Sequence, residues 1–408
     1  MTDGVSQRTV APRRAHGSSS IRASVPTEAS DAAAGAAPRK PRVRLMFVDV
    51  LNAVACFAVI VLHTTFAVFS PAHSYSWLIA DWWQSVFIYA VPIFFMISGM
   101  NLLGYRARQT TADFFKRRVV RTGGALLLGS AVSYLAFTLF PDFFWGTEEF
   151  RGGPNPIDFV KRVLSNGISG TYWFFYAIIY LYLITPLLSL AVGRRDLMRY
   201  LIGLTALAAI APPLISFFGF NPAYGSVALG WPLFGSISLL YFLCGYYVRT
   251  YMAPLDRRGQ MIAGGLIVAS IAAIFASGLL ANGWFGPEMP QSLQGGALTS
   301  INSPFCVVLA LSLFKLFESL DPVFQRWGAR AKAAVSLVSG LSLYVYLFHC
   351  TLVINGMGVW LPQPVLDVLT RVPVVKAAIV FAITLSAVWG VRTVKNALMT
   401  QVKAARKG

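Results

Sequence analysis

The chain has 408 residues, of which 56% are hydrophobic and only 12% are charged, and its formal net charge is +18. Soluble globular proteins carry about 25% charged residues, so this composition excludes an ordinary soluble domain. The four cysteines lie inside apolar runs and do not form the framework of a disulfide-stapled secreted domain. A polytopic membrane protein remains, and we predict an all-α integral membrane fold.

Apolar stretches of the length that crosses a bilayer, about 20 residues, begin after a polar N-terminal segment. Residues 1–44 are rich in Ser, Ala, Pro and Arg, which is typical of a disordered basic tail. We predict a membrane domain over residues 45–395 and a short basic tail over 396–408. Ten membrane-spanning helices are expected in that domain, near residues 46–69, 82–104, 122–140, 171–192, 200–219, 230–248, 261–281, 301–317, 336–357 and 373–391.

The basic residues are unevenly distributed between the predicted spans. Of the 34 Lys and Arg residues, 29 fall in the N-terminal tail, in the breaks after even-numbered spans and at the C-terminal end. Cytoplasmic loops of membrane proteins carry the excess of Lys and Arg, so both termini are predicted to be cytoplasmic. The positive charge therefore indicates topology, and we expect no nucleic-acid partner.

The longest predicted outer break, residues 141–170, contains an amphipathic stretch around residues 157–164. We predict a short interfacial helix there. Glu148 and Glu149 in the same break either bind a sugar or are solvated, and we favour solvation.

Three polar residues of the first span, Asp49, Asn52 and His63, fall on one face of a helix. Eleven residues at 100° each bring His63 to within about 20° of Asn52, with a rise of about 16 Å. Asp49 therefore belongs to the cytoplasmic end, too far away to orient His63. A neutral imidazole at the depth of His63 can accept a proton from a hydroxyl. The alternative is a histidine that is hydrogen-bonded between helices for structural reasons.

The ninth span presents Ser342, Tyr346 and His349 on one face. Counted from the inner side, His349 lies at a depth comparable with that of His63. Two histidines at matching depth favour a shared site, whereas a packed Tyr/His stripe is the structural alternative.

Arg118 and Arg121 are neighbours at positions i and i+3 in the cytoplasmic break between spans two and three. Such a pair can bind a phosphate or pyrophosphate. Its alternative role is ordinary topogenic charge.

Several catalytic signatures are missing from the sequence. It contains no Walker A loop, GxSxG elbow, HExxH motif or closely spaced acidic pair. We also see no metal-ligand spacing and no cationic neighbour that would activate a cysteine. We therefore expect no metal and no bound cofactor.

Six ordered blocks resemble the membrane-bound acyltransferase-3 family, whose members acylate bacterial surface polysaccharides and related acceptors. Residues 47–63 (FVDVLNAVACFAVIVLH) resemble the family's first span, which ends in its characteristic histidine. The family's R-x-x-R pattern is present as Arg118 and Arg121. The remaining blocks are VPIFFMISGMNLL (91–103), YWFFYAIIYLYLITPLL (172–188), YFLCGYYV (241–248) and SLYVYLFH (342–349).

The chain departs from this family at one position. Eleven residues before its histidine the family has a basic residue, and here that position is Asn52. If the basic residue contacts the acyl-CoA, Asn52 must do so as a neutral donor, or another residue must replace it.

The resemblance implies a membrane O-acyltransferase of the bacterial cytoplasmic membrane. It implies acyl-CoA, most simply acetyl-CoA, as the donor co-substrate and a hydroxyl of a cell-surface glycan or lipid-linked sugar as the acceptor, within membrane lipid. His63 and His349 are then the catalytic candidates, and Arg118, Arg121 and Asn52 the candidates for binding acyl-CoA. Tyr346, Trp173 and Asp49 are the remaining candidates, for binding substrate.

Two other functions remain open at this level. A glycan or lipid exporter without transferase activity would use the polar stripes as a pathway, although no pair of interrupted helices indicates a transport site. A different membrane transferase is the second alternative. A lipid-linked glycosyltransferase requires an acid in the first outer loop, and only Asp81 lies near that position.

Overall fold

The computed structural model of the protein describes residues 44–70, 72–217, 236–286 and 298–405. Of these residues 83% are helical, and none of them lies in a β-strand. A helix satisfies its own backbone hydrogen bonds, as hydrocarbon requires. The helices are α1 (Met46–Thr64), α2 (Tyr75–Phe87), α3 (Ala90–Leu102), α4 (Thr111–Leu139), α5 (Pro156–Leu164), α6 (Trp173–Leu188), α7 (Arg195–Phe217), α8 (Ile237–Tyr251), α9 (Arg257–Ala281), α10 (Pro304–Ser319), α11 (Asp321–Phe324), α12 (Ala329–Phe348), α13 (Asn355–Trp360), α14 (Gln363–Arg371) and α15 (Pro373–Ala405).

Side-chain caps mark where several helices begin. The cap side chain accepts a hydrogen bond from a backbone N–H of the first turn, which otherwise has no partner. The capping residues are Ser74 for α2, Thr110 for α4, Asn155 for α5, Asp256 for α9 and Ser303 for α10.

Seven helical stretches within the described residues are long and apolar enough to cross a membrane. Three predicted spans are not among them. They correspond to α7, which carries charge in its first turns, and to α8 and α10, which have only 15 and 16 residues. Parts of two predictions, residues 218–219 and 230–235, lie outside the described residues, as does the predicted tail before Arg44. The seven stretches are Met46–Thr64, Tyr75–Ala107, Thr111–Leu139, Gly170–Ala191, Arg257–Ala281, Ala329–Trp360 and Pro373–Val402.

Several observed boundaries differ from the predicted ones, most visibly at the two ends of the membrane domain. The first span ends at Thr64, and a 3₁₀ turn, Phe66–Phe69, follows it. At the other end of the chain, α15 continues to Ala405, so part of the stretch interpreted as a tail is helical.

Helices α1 and α12 pack side by side and run in the same direction. Hydrogen bonds join α1 to α12 and to the residue that follows it at three levels: from Ser336 to Asp49, from Asn52 to Ser339, and between His63 and His349. The paired residues are separated by 287, 287 and 286 positions. The polar stripe predicted for the first span therefore faces α12 along the whole length of α1.

Helices α3 and α8 approach each other through glycine. A Cβ added at Gly99 would lie 1.7 Å from the Phe242 carbonyl oxygen, and one added at Gly245 would lie 2.0 Å from the Met96 carbonyl oxygen. Small residues permit such close backbone contact in membrane proteins, where packing drives helix association. This pair is part of the buried core beside α1.

A helix, α5, is present at the position predicted for an interfacial helix, outside the spanning stretches. Ile157, Val160 and Leu164 are exposed on it. Its Asp158 carboxyl accepts a hydrogen bond from Arg162, which lowers the pKa of that carboxyl; burial partly opposes this shift, and a hydrogen bond from Tyr134 adds to it.

One of the two acids in the outer break is held by an ion pair. The Glu149 carboxylate lies 3.1 Å from the Arg162 guanidinium. Glu149 thus has a protein partner.

Gly99→Ala should destabilise the protein because the new methyl group overlaps the Phe242 carbonyl and forces α3 away from α8. Overpacking costs about 1–3 kcal/mol or more, and the thermal melting temperature in detergent measures it. The matched control is Gly264→Ala in α9, where an added Cβ meets no atom within 4 Å. Equal melting temperatures for the two variants would contradict the close packing of α3 on α8.

Candidate active site

The structure brings His63 and His349 into direct contact. Nδ1 of His63 lies 2.7 Å from Nε2 of His349, and the ring planes are inclined by only 22°. His349 is fully buried, whereas His63 is partly exposed. His349 is thus covered, and of the two histidines only His63 is accessible.

The second nitrogen of His349 fixes how the pair shares its protons. Nδ1 of His349 lies 2.8 Å from the Tyr346 carbonyl oxygen and 3.1 Å from that of Val345. Carbonyl oxygens only accept, so this nitrogen carries a hydrogen. In the neutral ring Nε2 is then an acceptor, and His63 donates to it from Nδ1. Nε2 of His63 is left with a free lone pair, and it forms no hydrogen bond with the described residues.

A change in helix type positions His349. Helix α12 ends at Phe348, and a π-helical segment, His349–Ile354, follows it. Such segments are rare and frequent at functional sites. The carbonyls that hold the ring belong to the last α-helical turn before this change.

Helix α2 holds the end of α1 on which His63 lies. The Gln84 side-chain amide donates to the Leu62 carbonyl at 2.8 Å and to the Thr65 hydroxyl at 2.9 Å. These residues flank His63 in the chain. The sequence reasoning missed Gln84, although a lone amide in an apolar segment is itself a signal of interhelical hydrogen bonding.

Tyr346 lies beside His349, with ring centroids 5.7 Å apart. Its hydroxyl donates to the Thr171 carbonyl at 3.0 Å. The hydroxyl proton is therefore engaged, and the backbone carbonyl of Tyr346 is the part that touches the histidine pair. Trp173 lies two residues beyond Thr171, is 38% exposed, and contacts Phe95 rather than either histidine.

Asn52 and Asp49 lie nearer the N-terminal end of α1 than His63 does. The Asn52 amide donates to the Ser339 hydroxyl and carbonyl, each at 3.0 Å, and to the Ser342 hydroxyl at 3.1 Å. Asp49 is buried and accepts from Ser336. Fourteen residues of helix, about 21 Å, separate Asp49 from His63, so the structure does not bring Asp49 to the histidine pair.

Arg118 and Arg121 lie near the N-terminal end of α4 and are exposed. Both act electrostatically on Tyr182 of α6, and neither forms an ion pair with a described carboxylate. Tyr172 lies ten residues before Tyr182. Its hydroxyl donates a hydrogen bond to the carbonyl of Leu347, and Leu347 lies two residues before His349. Ten residues of helix span about 15 Å. The arginine pair and the histidine pair are thus at different depths in the bundle.

Metal-ligating groups and cysteines were also candidates for chemistry in this bundle. No three His, Cys, Asp or Glu side chains of the described residues are grouped so that they could hold a metal ion. Cys56, Cys244, Cys306 and Cys350 are free and buried.

Asn52→Ala should lower stability because the three hydrogen bonds to α12 are lost. Interhelical hydrogen bonds in membrane proteins contribute about 0.6 kcal/mol each, and at most about 1.7, so we expect a loss of about 1 kcal/mol in the unfolding free energy. Asn396→Ala is the control, because Asn396 is exposed on α15. If the two variants unfold alike, Asn52 does not hold α1 to α12.

Comparison with known protein families identifies the family of the chain. The model of the acyltransferase-3 family, described as an acyltransferase domain, matches residues 46–392, which is most of the chain. No curated protein and no solved structure shows significant similarity to the chain. The matched region covers most of the chain and includes both histidines, and all seven candidate spans start within it. The chain therefore belongs to the acyltransferase-3 family and is a multi-pass membrane acyltransferase.

Proposed function

We propose that the protein transfers a short acyl group, most simply acetyl, from acyl-CoA to a hydroxyl of a cell-surface glycan or lipid-linked sugar. The observation that carries this proposal is the 2.7 Å contact between His63 and His349, which leaves Nε2 of His63 as an accessible base. Family membership supports acyl transfer as the reaction. We further propose ten spans in the bacterial cytoplasmic membrane with both termini cytoplasmic, on the distribution of basic residues.

His63 acts as the general base. Its Nε2 takes the proton of the acceptor hydroxyl while the hydroxyl oxygen attacks the thioester carbonyl carbon. The new C–O bond forms, the C–S bond breaks, and the proton passes from His63 to the CoA thiolate. No proton or electron is gained or lost overall.

His349 is a positioning residue for His63. Its Nε2 accepts from Nδ1 of His63, fixes the tautomer of that ring and stabilises the imidazolium that forms during the reaction. The orienting group of a Ser-His-Asp triad does the same through a carboxylate. Here a neutral imidazole, anchored on the carbonyls of Val345 and Tyr346, replaces the carboxylate.

Arg118 and Arg121 bind the phosphates of acyl-CoA. Both guanidinium groups are exposed and have no competing carboxylate among the described residues, so they are available to a polyanion. The rise of about 15 Å between their level and the histidine pair must then be spanned by the long pantetheine arm, with the thioester at its far end.

The remaining candidates have smaller roles in this proposal. Asn52 does not replace the family's basic residue as a contact to acyl-CoA, because its amide is engaged with α12. Asp49 lies at the donor end of α1. Tyr346 and Trp173 lie on the acceptor side, where Tyr346 supports His349 and the exposed indole of Trp173 is available to a sugar face.

Incubation of membranes with radiolabelled acetyl-CoA tests the reaction itself. Label should appear in surface glycan or lipid-linked sugar for the wild type and not for His63→Ala. Label absent from both fractions with a folded wild type would contradict the proposed donor or acceptor.

Replacement of either histidine separates their two roles. His63→Ala should lower kcat by about 10²–10⁴-fold, the usual contribution of a general base. His349→Gln should lower kcat less and leave KM for acyl-CoA unchanged, because it acts only through His63. When two residues act as a unit, the kinetic effects of replacing them are not additive. The double variant should therefore be no slower than His63→Ala.

The control for these variants is His73→Ala, because His73 is exposed and lies outside the pair. Full activity in His63→Ala, or a double variant that is slower by the product of the two single effects, would contradict the assignment.

Arg118→Gln and Arg121→Gln should each raise KM for acyl-CoA about tenfold or more and leave kcat little changed, because a charge-assisted hydrogen bond contributes about 1.5–3 kcal/mol. Initial rates at varied acyl-CoA concentration and at two salt concentrations measure this. Lys116→Gln is the matched control, since Lys116 is also exposed but points about 140–160° away from both arginines around α4. If all three variants behave alike, the pair has only a topogenic role.

A further inference from the structure

A small cavity lies beside α2. Its volume is about 60 Å³, room for a few water-sized groups but not for a sugar ring. The 3₁₀ turn after α1, helix α2 and the end of α9 enclose it. The lining residues are Val68, Trp77, Asp81, Gly278, Ala281, Asn282 and Thr299.

Two of the lining residues each carry a buried side-chain oxygen that has no partner among the described residues. These oxygens are Oδ2 of Asp81 and Oδ1 of Asn282, and each residue is only 2% exposed. The Asn282 amide nitrogen donates to the Ala72 carbonyl at 3.3 Å, so its oxygen is the atom that remains unpaired. A buried polar group without a hydrogen bond costs about 1–3 kcal/mol, and a carboxylate costs more.

No basic side chain of the described residues neutralises Asp81. The nearest basic side chain along the chain, His73, uses Nε2 on the backbone carbonyl of Asn282 at 3.0 Å. Acids inside membrane-spanning segments are costly and are usually paired or functional. The carboxylate of Asp81 therefore lacks a countercharge from the protein.

We propose that this cavity binds one alkali-metal cation, for which Na⁺ is the probe. The candidate ligands are the Asp81 carboxylate, the Asn282 side-chain oxygen and the hydroxyl of Thr299, which also lines the cavity. Hard oxygen ligands of this kind suit hard cations. A single carboxylate balances one positive charge, and the absence of a second acid in the lining disfavours a divalent ion. The volume fits an ion with a partial hydration shell and excludes larger organic cations.

Gly278 shows that the backbone is shaped around the carboxylate. A Cβ at this position would lie 2.3 Å from Oδ1 and 2.5 Å from Oδ2 of Asp81. Only glycine lets α9 approach so closely. The cation joins α2 to α9 at this point, one helical turn from Gln84, which holds the end of α1 carrying His63.

Thermal melting of the purified full-length protein tests the site. NaCl or KCl replaces choline chloride at constant ionic strength, so that only the cation changes. The wild type should melt about 2–4 °C higher in one of the alkali salts, the shift expected when a ligand binds the folded state at about tenfold its Kd. Equilibrium binding of ²²Na⁺ should give one site per chain, or ⁸⁶Rb⁺ should do so if K⁺ is preferred.

Asp81→Asn should remove both the shift and the bound label, whereas Asp142→Asn, at an exposed acid, should keep both. Asn282→Ala retains the carboxylate and should move the cation titration to higher concentration, which keeps the test valid if Asp81→Asn does not fold. Equal melting of the wild type in all three salts, stabilisation by Ca²⁺ alone, or unchanged cation affinity in Asn282→Ala would overturn the proposal.

Discussion

The hydrogen-bonded register between α1 and α12 is the constraint on which the rest of the site depends. Asp49, Asn52 and His63 meet Ser336, Ser339 and His349 at nearly constant sequence separation, so one alignment satisfies all three contacts. A shift of one residue would rotate the facing stripe by 100° and separate the two imidazoles. The contacts of Asp49 and Asn52 thus hold the helices in the alignment that brings His63 to His349.

In the mechanism that we propose, no carboxylate is needed to orient the general base in this low-dielectric bundle. A charged orienting group at the position of His349 would carry a large desolvation cost. Backbone carbonyls and a neutral imidazole fix the tautomer of His63 without that cost. The exposed side chains of Arg118 and Arg121 lie on α4, where we propose that the polyanionic donor binds.

The sequence predicted those features that follow from composition and helical period. Scarcity of charge predicted an all-α membrane fold, and the spacing from Asn52 to His63 predicted one polar face. It could not predict that His349 starts a π-helical segment or that its Nδ1 meets two carbonyls, because both depend on backbone geometry in three dimensions. The number of membrane spans was also hard to predict from the sequence, because α8 and α10 are shorter than the apolar runs that contain them.

The central claim is that His63 presents an unprotonated Nε2 because His349 holds its Nδ1–H. Solid-state ¹⁵N NMR of histidine-labelled protein in lipid measures this directly, with resonances assigned through His63→Gln and His349→Gln. The account predicts that at neutral pH both rings are neutral and protonated on Nδ1. A proton on Nε2 of His63, or an imidazolium at either position, would contradict it.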